Sequence, residues 1–175
     1  MRRSIVFAIA WGCASADAAP AKYGIGRTPT AEELHALDIS VAPEGTGLPV
    51  GHGSSAEGAV LFKAMCSACH GDRGEGRGDF PVLVGGRGTL ATAQPILTIG
   101  SYWPFATTAW DYIHRAMPYS TPGVLAPDQV YALTAFILAA NGVISADTVL
   151  DQKTLPRVQM PNRNGFVSDP RPDVP

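Results

Sequence analysis

The 175-residue sequence predicts an all-α fold with irregular N- and C-terminal arms. Three observations lead there. Apolar residues recur at helical spacing after Thr107 and again after Pro127, and two Ser/Thr capping boxes open helices nearer the N-terminus. No strand-rich run surrounds the cysteine pair in the middle of the chain. The 19 glycines and 15 prolines, set against 46% hydrophobic and 16% charged residues, predict a folded chain in which a few helices are joined by long irregular connections.

At the N-terminus, Arg2 and Arg3 precede an apolar run from Ile5 to Trp11, and small residues follow through Ala18. That is the pattern of a secretory leader over residues 1–18, with cleavage expected after Ala18. The run is too short to span a bilayer, which takes about 20 apolar residues. Cys13 faintly resembles a lipoprotein site but lacks the aliphatic residue expected before it.

Residues 19–53 form a Gly- and Pro-rich arm with one helix signal, the capping box of Thr30 and Glu33 ahead of Leu34 and Leu37. Ser54 and Glu57 make a second capping box. It opens a helix through Val60, Leu61 and Met65 that runs into Cys66-Ser67-Ala68-Cys69-His70. The glycines from Gly71 to Gly88 follow neither the Walker spacing nor a strand-to-helix context, and suit a loop whose backbone approaches a flat ring. A third helix from Thr107 ends at Met117, where Pro118 cannot continue it. A fourth begins at Pro127 and stops at Asn141 and Gly142. The arm of residues 143–175 is proline-rich and aperiodic, an ordered wrap or a loose end.

The CxxCH motif carries the chemistry. Its thiols lie about one helical turn apart, a spacing that lets both add across the vinyl groups of one haem, with His70 next in the chain to bind the iron. A redox dithiol would want a thioredoxin-like βαβ pattern and leaves His70 without a role. A zinc site needs paired ligands, whereas His35, His52 and His114 stand isolated.

The iron's second face separates electron transfer from ligand chemistry. Met117 is the best candidate ligand, because it leaves a helix into a loop held by Pro118; the alternative is a gap-filling side chain. Met160 is the weaker rival, and Met65 is too close to Cys66 to reach the far face. His114 reads as a surface or supporting histidine, and His52 stays unassigned. Arg87, Tyr102 and Trp103 lie between the two ligands in sequence and could donate to the haem propionates, which are costly to bury unpaired. Trp103 and Trp110 could equally be core.

Formal charge is −2, and loss of the leader makes it one unit more negative, so a basic nucleic-acid surface is excluded. With only Lys22, Lys63 and Lys153, no lysine ring is available for docking an acidic partner. Docking would rest on apolar contact or on Arg73, Arg77, Arg87 and Arg115.

Taken together, the capped helix, CxxCH, Gly-rich loop, Met before Pro and terminal helix resemble a class I cytochrome c over residues 54–142. The resemblance implies a helical domain around one covalent haem c. Its first and last helices should cross near Gly58 and Phe62 on one side and Tyr131 and Phe136 on the other. A narrower similarity extends over nearly the whole mature chain. Tyr23-Gly24-Ile25-Gly26-Arg27, the block from Gly100 to Thr108, His114 to Tyr119, and Met160-Pro161-Asn162-Arg163 are similar to cytochrome subunits paired with molybdenum-containing sulfite or sulfane dehydrogenases of sulfur-oxidising bacteria. That similarity implies a periplasmic, non-catalytic subunit. Electrons would arrive from a molybdenum cofactor on a partner chain and leave one at a time to a soluble cytochrome c. Such sulfane dehydrogenase subunits usually carry two haem domains, whereas this sequence has one CxxCH. The competing expectations are a free periplasmic carrier feeding a terminal oxidase or reductase, and a peroxidase-type haem enzyme, which needs an open sixth position.

Overall fold

The two central helices of the protein meet backbone to backbone, and the other elements are arranged around that contact. The computed structural model describes residues 24–171, so the leader pattern, Cys13 and Tyr23 lie outside the described residues. The elements are α1 (Ala31–Leu37), β1 (His52–Ser54), α2 (Ser55–Met65), α3 (Ser67–His70), α4 (Ala106–Ala116), α5 (Pro127–Ala140), β2 (Val149–Asp151) and a 3₁₀ turn over Leu155–Arg157.

Both expected capping boxes form. The Thr30 hydroxyl accepts from the Glu33 N–H at 3.2 Å, while Glu33 accepts from the Thr30 N–H at 2.9 Å; Ser54 and Glu57 repeat the exchange at 3.3 and 2.8 Å. Each satisfies helix N–H groups that otherwise have no partner. At the start of α5, Pro127 supplies a pre-set φ, and the Gln129 side chain accepts from the Ala126 N–H at 2.9 Å. Gly142, at φ 65°, ends α5 in the left-handed region that a side chain would disfavour.

α5 is buried over most of its circumference, with Val130, Leu133, Ala135 and Leu138 at most 1% exposed. Helices hydrophobic all round belong in the core rather than on its surface. Of the apolar positions that predict it, only Ala140 faces solvent. α2 crosses α5 at Gly58, where a Cβ would sit 1.9 Å from the Ala132 carbonyl oxygen, and Phe62 packs on Phe136 with ring centroids 4.9 Å apart. The crossing is thus the expected one on the α2 side. On α5 its centre is Ala132 rather than Tyr131, which turns away to stack on Trp110 at 5.4 Å.

The helical fold expected from the sequence is present, with one small addition. The fold is helical but not free of strands, because β1 pairs antiparallel with β2, His52 opposite Asp151 and Ser54 opposite Val149. Three-residue strands carry too little alternation to be read from sequence. They form here because Gly53 lets β1 lie against α5, where a Cβ would fall 2.2 Å from the Ala132 nitrogen.

The pairing ties the two arms together, and both lie on the helices. Val41 donates its N–H to buried Asp111 at 2.9 Å, Thr107 donates to the Pro43 carbonyl at 3.0 Å, and Tyr131 donates to the Pro49 carbonyl at 2.9 Å. Burial beside Asp151 and Asp128 pushes the Tyr131 phenol up to about 12, so it stays a donor at physiological pH. Over its described residues the C-terminal arm wraps the helices and buries Leu150, Leu155 and Met160 in the core. α1 remains outside, with Leu34 and Leu37 exposed.

Gly58→Ala should destabilise the protein by about 1–3 kcal/mol through overpacking against backbone, even though alanine is the better helix former. Chemical denaturation would read this as a lower midpoint, and an unchanged midpoint would contradict the contact.

Candidate functional site

Local backbone geometry brings the motif to one end of α2. The Cys66 N–H closes the helix on the Phe62 carbonyl at 2.9 Å, and the chain then turns into α3 with His70 N–H on the Cys66 carbonyl at 2.9 Å. The Ser67 hydroxyl bridges back to the Lys63 carbonyl at 2.8 Å. Gly71, at φ 78°, ends this turn. Cys66 and Cys69 are partly buried and not disulfide-bonded. Burial, with Cys69 close by, pushes the Cys66 thiol up to about 11. A nucleophilic redox dithiol needs the opposite shift, so the environment disfavours that chemistry.

His70 accepts no competing role from its neighbours. Its Nδ1 lies 3.0 Å from the Pro81 carbonyl oxygen, which can only accept, so Nδ1 carries the proton and Nε2 keeps the lone pair. No hydrogen bond to Nε2 is found among the described residues. Met117 caps α4 at the other side, its N–H on the Ile113 carbonyl at 3.1 Å and its backbone already extended at φ −123°, ψ 148°.

His70 and Met117 line one cleft. Pro81, Val82, Leu83, Leu97, Thr98 and Ile99 form one wall, and Trp103, Ala109, Tyr112, Ile113 and Ile137 the rest. The space, counted with its open mouth, is about 660 Å³. Its lining is almost wholly apolar, with an imidazole and a thioether set in it. That donor set fits a flat, largely apolar group carrying an iron of intermediate softness. Among the described residues no cluster of three or more His, Cys, Asp or Glu side chains offers an alternative metal site.

The other residues singled out from sequence fall in different places. Trp103 lines the cleft and meets Tyr112 edge-on at 5.8 Å. Arg87 lies outside it, donating to the Gly142 carbonyl at 3.1 Å and lining a separate hollow with Ser101 and Asn162. Tyr102 also lies outside, half-exposed against Phe166 at 5.2 Å. Met160 is buried in the core and Met65 is exposed on α2. His114 stacks on Trp110 at 4.8 Å, while His52 is taken up in β1, its N–H on Asp128 at 2.8 Å. Trp110 is core, fully buried.

Sequence reasoning missed Pro81, the acceptor that orients His70. A signal existed: a proline within the glycine-rich stretch has no N–H to donate, so only its carbonyl can serve a neighbour. It also missed most of the lining, because Leu97, Thr98 and Ile99 sit in a stretch without regular periodicity.

The family model described as Cytochrome c matches residues 55–141. Among solved structures, a chain of the sulfane dehydrogenase SoxCD from Paracoccus pantotrophus is 45% identical with a TM-score of 0.79, the match covering 86% of this chain and 74% of that one. The thiosulfate dehydrogenase TsdBA from Marichromatium purpuratum is 28% identical with a TM-score of 0.38, over 50% of this chain and 18% of that one. Comparison with curated protein sequences found no match.

Ala109 is 1% exposed and forms part of the cleft wall. Replacing it with Phe should fill the cleft and cut covalently attached haem per chain several-fold, measured as Soret absorbance against protein. Full loading of Ala109→Phe would show that the cleft is not the seat.

Proposed function

Since this chain belongs to the cytochrome c family, we propose that it is the electron-transfer subunit of a sulfane dehydrogenase-like complex, carrying one haem c in the cleft between His70 and Met117. The likeness to a chain of SoxCD, at 45% identity over 86% of this chain, carries this reading. The partner is a molybdenum-containing dehydrogenase subunit, and the acceptor is a soluble cytochrome c. The leader pattern over residues 1–18 supports a periplasmic location, and no helix among the described residues is long and apolar enough to cross a membrane. Residues 54–142 make the haem domain, flanked by arms over 19–53 and 143–175.

The side chains divide the work. Cys66 and Cys69 would hold the haem through thioether bonds, each thiol adding its sulfur and its hydrogen across one vinyl group with no net change of oxidation state. His70 would offer Nε2 to the iron, while the Pro81 carbonyl holds the Nδ1 proton and would raise the basicity of the ring. Met117 would supply a soft thioether, which favours the ferrous state and suits an acceptor of electrons. With Met117 as second ligand the iron would keep no open position, against peroxidase-type chemistry. Bound there, the haem supplies a one-electron couple. Trp103 lines the cleft, and Arg87 and Tyr102, which do not, keep with it the role of donors to the polar haem propionates.

A free periplasmic carrier is the second reading, favoured by one observation. Much of both arms lies on this chain's own core, with Val41, Leu48, Leu155 and Met160 packed there, so these segments need no partner. Cutting the chain after Gly142 would remove core residues, and the two readings are better separated with the full chain.

Met117→Ala should convert the ferric spectrum from low spin towards high spin and lower the reduction potential. An unchanged spectrum would reject Met117 as ligand and revive the enzyme reading. Co-expressed with a sulfane dehydrogenase molybdenum subunit, the full-length chain should co-purify and be reduced on addition of substrate. A chain that migrates alone, beside an enzyme that reduces its acceptor equally well without it, would leave the carrier reading.

A further inference from the structure

We propose that Asn141 is a positioning residue for His70: from the end of α5 it clamps the loop whose carbonyl holds the axial imidazole. This rests on the reading of His70 as an iron ligand.

Asn141 is 6% exposed, and its amide is used on both sides. Oδ1 accepts from the Gly85 N–H at 2.9 Å, and Nδ2 donates to the Leu83 carbonyl at 3.1 Å and to the Ile137 carbonyl at 2.9 Å. The first two bonds cross 56 and 58 residues of sequence, from the last turn of α5 to the segment just beyond Pro81. Helix termination does not require them, because Gly142 already supplies the left-handed stop and the Asn141 N–H already bonds back to Ile137. Gly100 packs on the side chain, where a Cβ would fall 2.3 Å from the carboxamide carbon, so the amide has no room to swing.

What the clamp holds is the acceptor of His70. Pro81, Val82 and Leu83 line the cleft, and the Pro81 carbonyl sits 3.0 Å from His70 Nδ1. Proline has no N–H with which to anchor itself, so the carbonyl is only as fixed as the chain on either side. Downstream, the chain is pinned at Leu83 and Gly85 by Asn141, with Thr98 donating to the Gly85 carbonyl at 2.7 Å as a further tether. The Leu83 and Val84 N–H groups meanwhile bond to the Gly74 carbonyl at 2.8 and 3.1 Å. Removing the amide leaves the part-buried Gly85 N–H and Leu83 carbonyl without their partner, and lets the Pro81 carbonyl drift from the imidazole. Groups of this kind, one step removed from a metal ligand, orient the ring and set its basicity.

The test follows the His70 ring proton itself. In the haem-loaded full chain, the Nδ1–H resonance is followed by NMR during exchange into deuterated buffer. Asn141→Ala should exchange about ten-fold faster or more, whereas Leu155→Ala, which removes a buried side chain of the C-terminal arm, should change it by no more than about two-fold. Equal acceleration in both variants, or none in Asn141→Ala, would overturn the proposal. If Asn141→Ala does not fold, the wild-type protein decides. Gly85 N–H and His70 Nδ1–H should open in one event, with the same dependence on denaturant, and a Gly85 N–H that exchanges independently would overturn the clamp. A chain with no coordinated imidazole N–H would instead overturn the ligand assignment beneath it.

Discussion

The close approach of α2 to α5 sets the position of everything else. Ala132 of α5 is flanked by two glycines, Gly53 against its nitrogen and Gly58 against its carbonyl oxygen. Without a side chain at either position the helix backbones come into contact, and the interdigitation of Phe62 with Phe136 follows from that distance. The end of α2 then fixes where Cys66, Cys69 and His70 emerge. The last turn of α5 brings Ile137 to the cleft wall and Asn141 to the loop behind it. A rigid pair of helices is what allows a cleft between loops to keep its shape.

Within the cleft, the apolar lining governs the electrostatics. An imidazole and a thioether face a lining of Val, Leu, Ile, Trp and Tyr side chains, so a charge change there is felt in a low dielectric rather than in water. The chain accordingly commits few polar groups to it, and those it commits are held by bonds from outside. His70 is oriented by a proline carbonyl, and Thr98 is engaged with Ser101 at 2.9 Å and with Gly85 at 2.7 Å.

Capping boxes, the proline start of α5 and the CxxCH spacing could all be read directly, because each is a local arrangement of side chains against backbone within four residues. The likeness to class I cytochromes led to Gly58 and Phe62 at the helix crossing, and both are there. What escaped notice is non-local. The strand pair joins residues about a hundred positions apart, and Pro81 meets His70 only because the glycine loop folds back on Gly74. Arg87 illustrates the same limit from the other side. It lies between the two candidate ligands in sequence, and that order does not tell that its guanidinium bonds to the Gly142 carbonyl at the end of α5. Sequence order along an irregular stretch carries little information about which wall a side chain faces.

The pairing of β1 with β2 has a consequence for what holds the two arms together. It closes a loop that contains α2 through α5, and a three-residue ladder cannot by itself offset the entropy of joining points so distant. The surface that makes the closure favourable is α5, against which Gly53 lies and Leu150 is buried. The ladder therefore depends on the packed helices beneath it and works as a latch between the two arms.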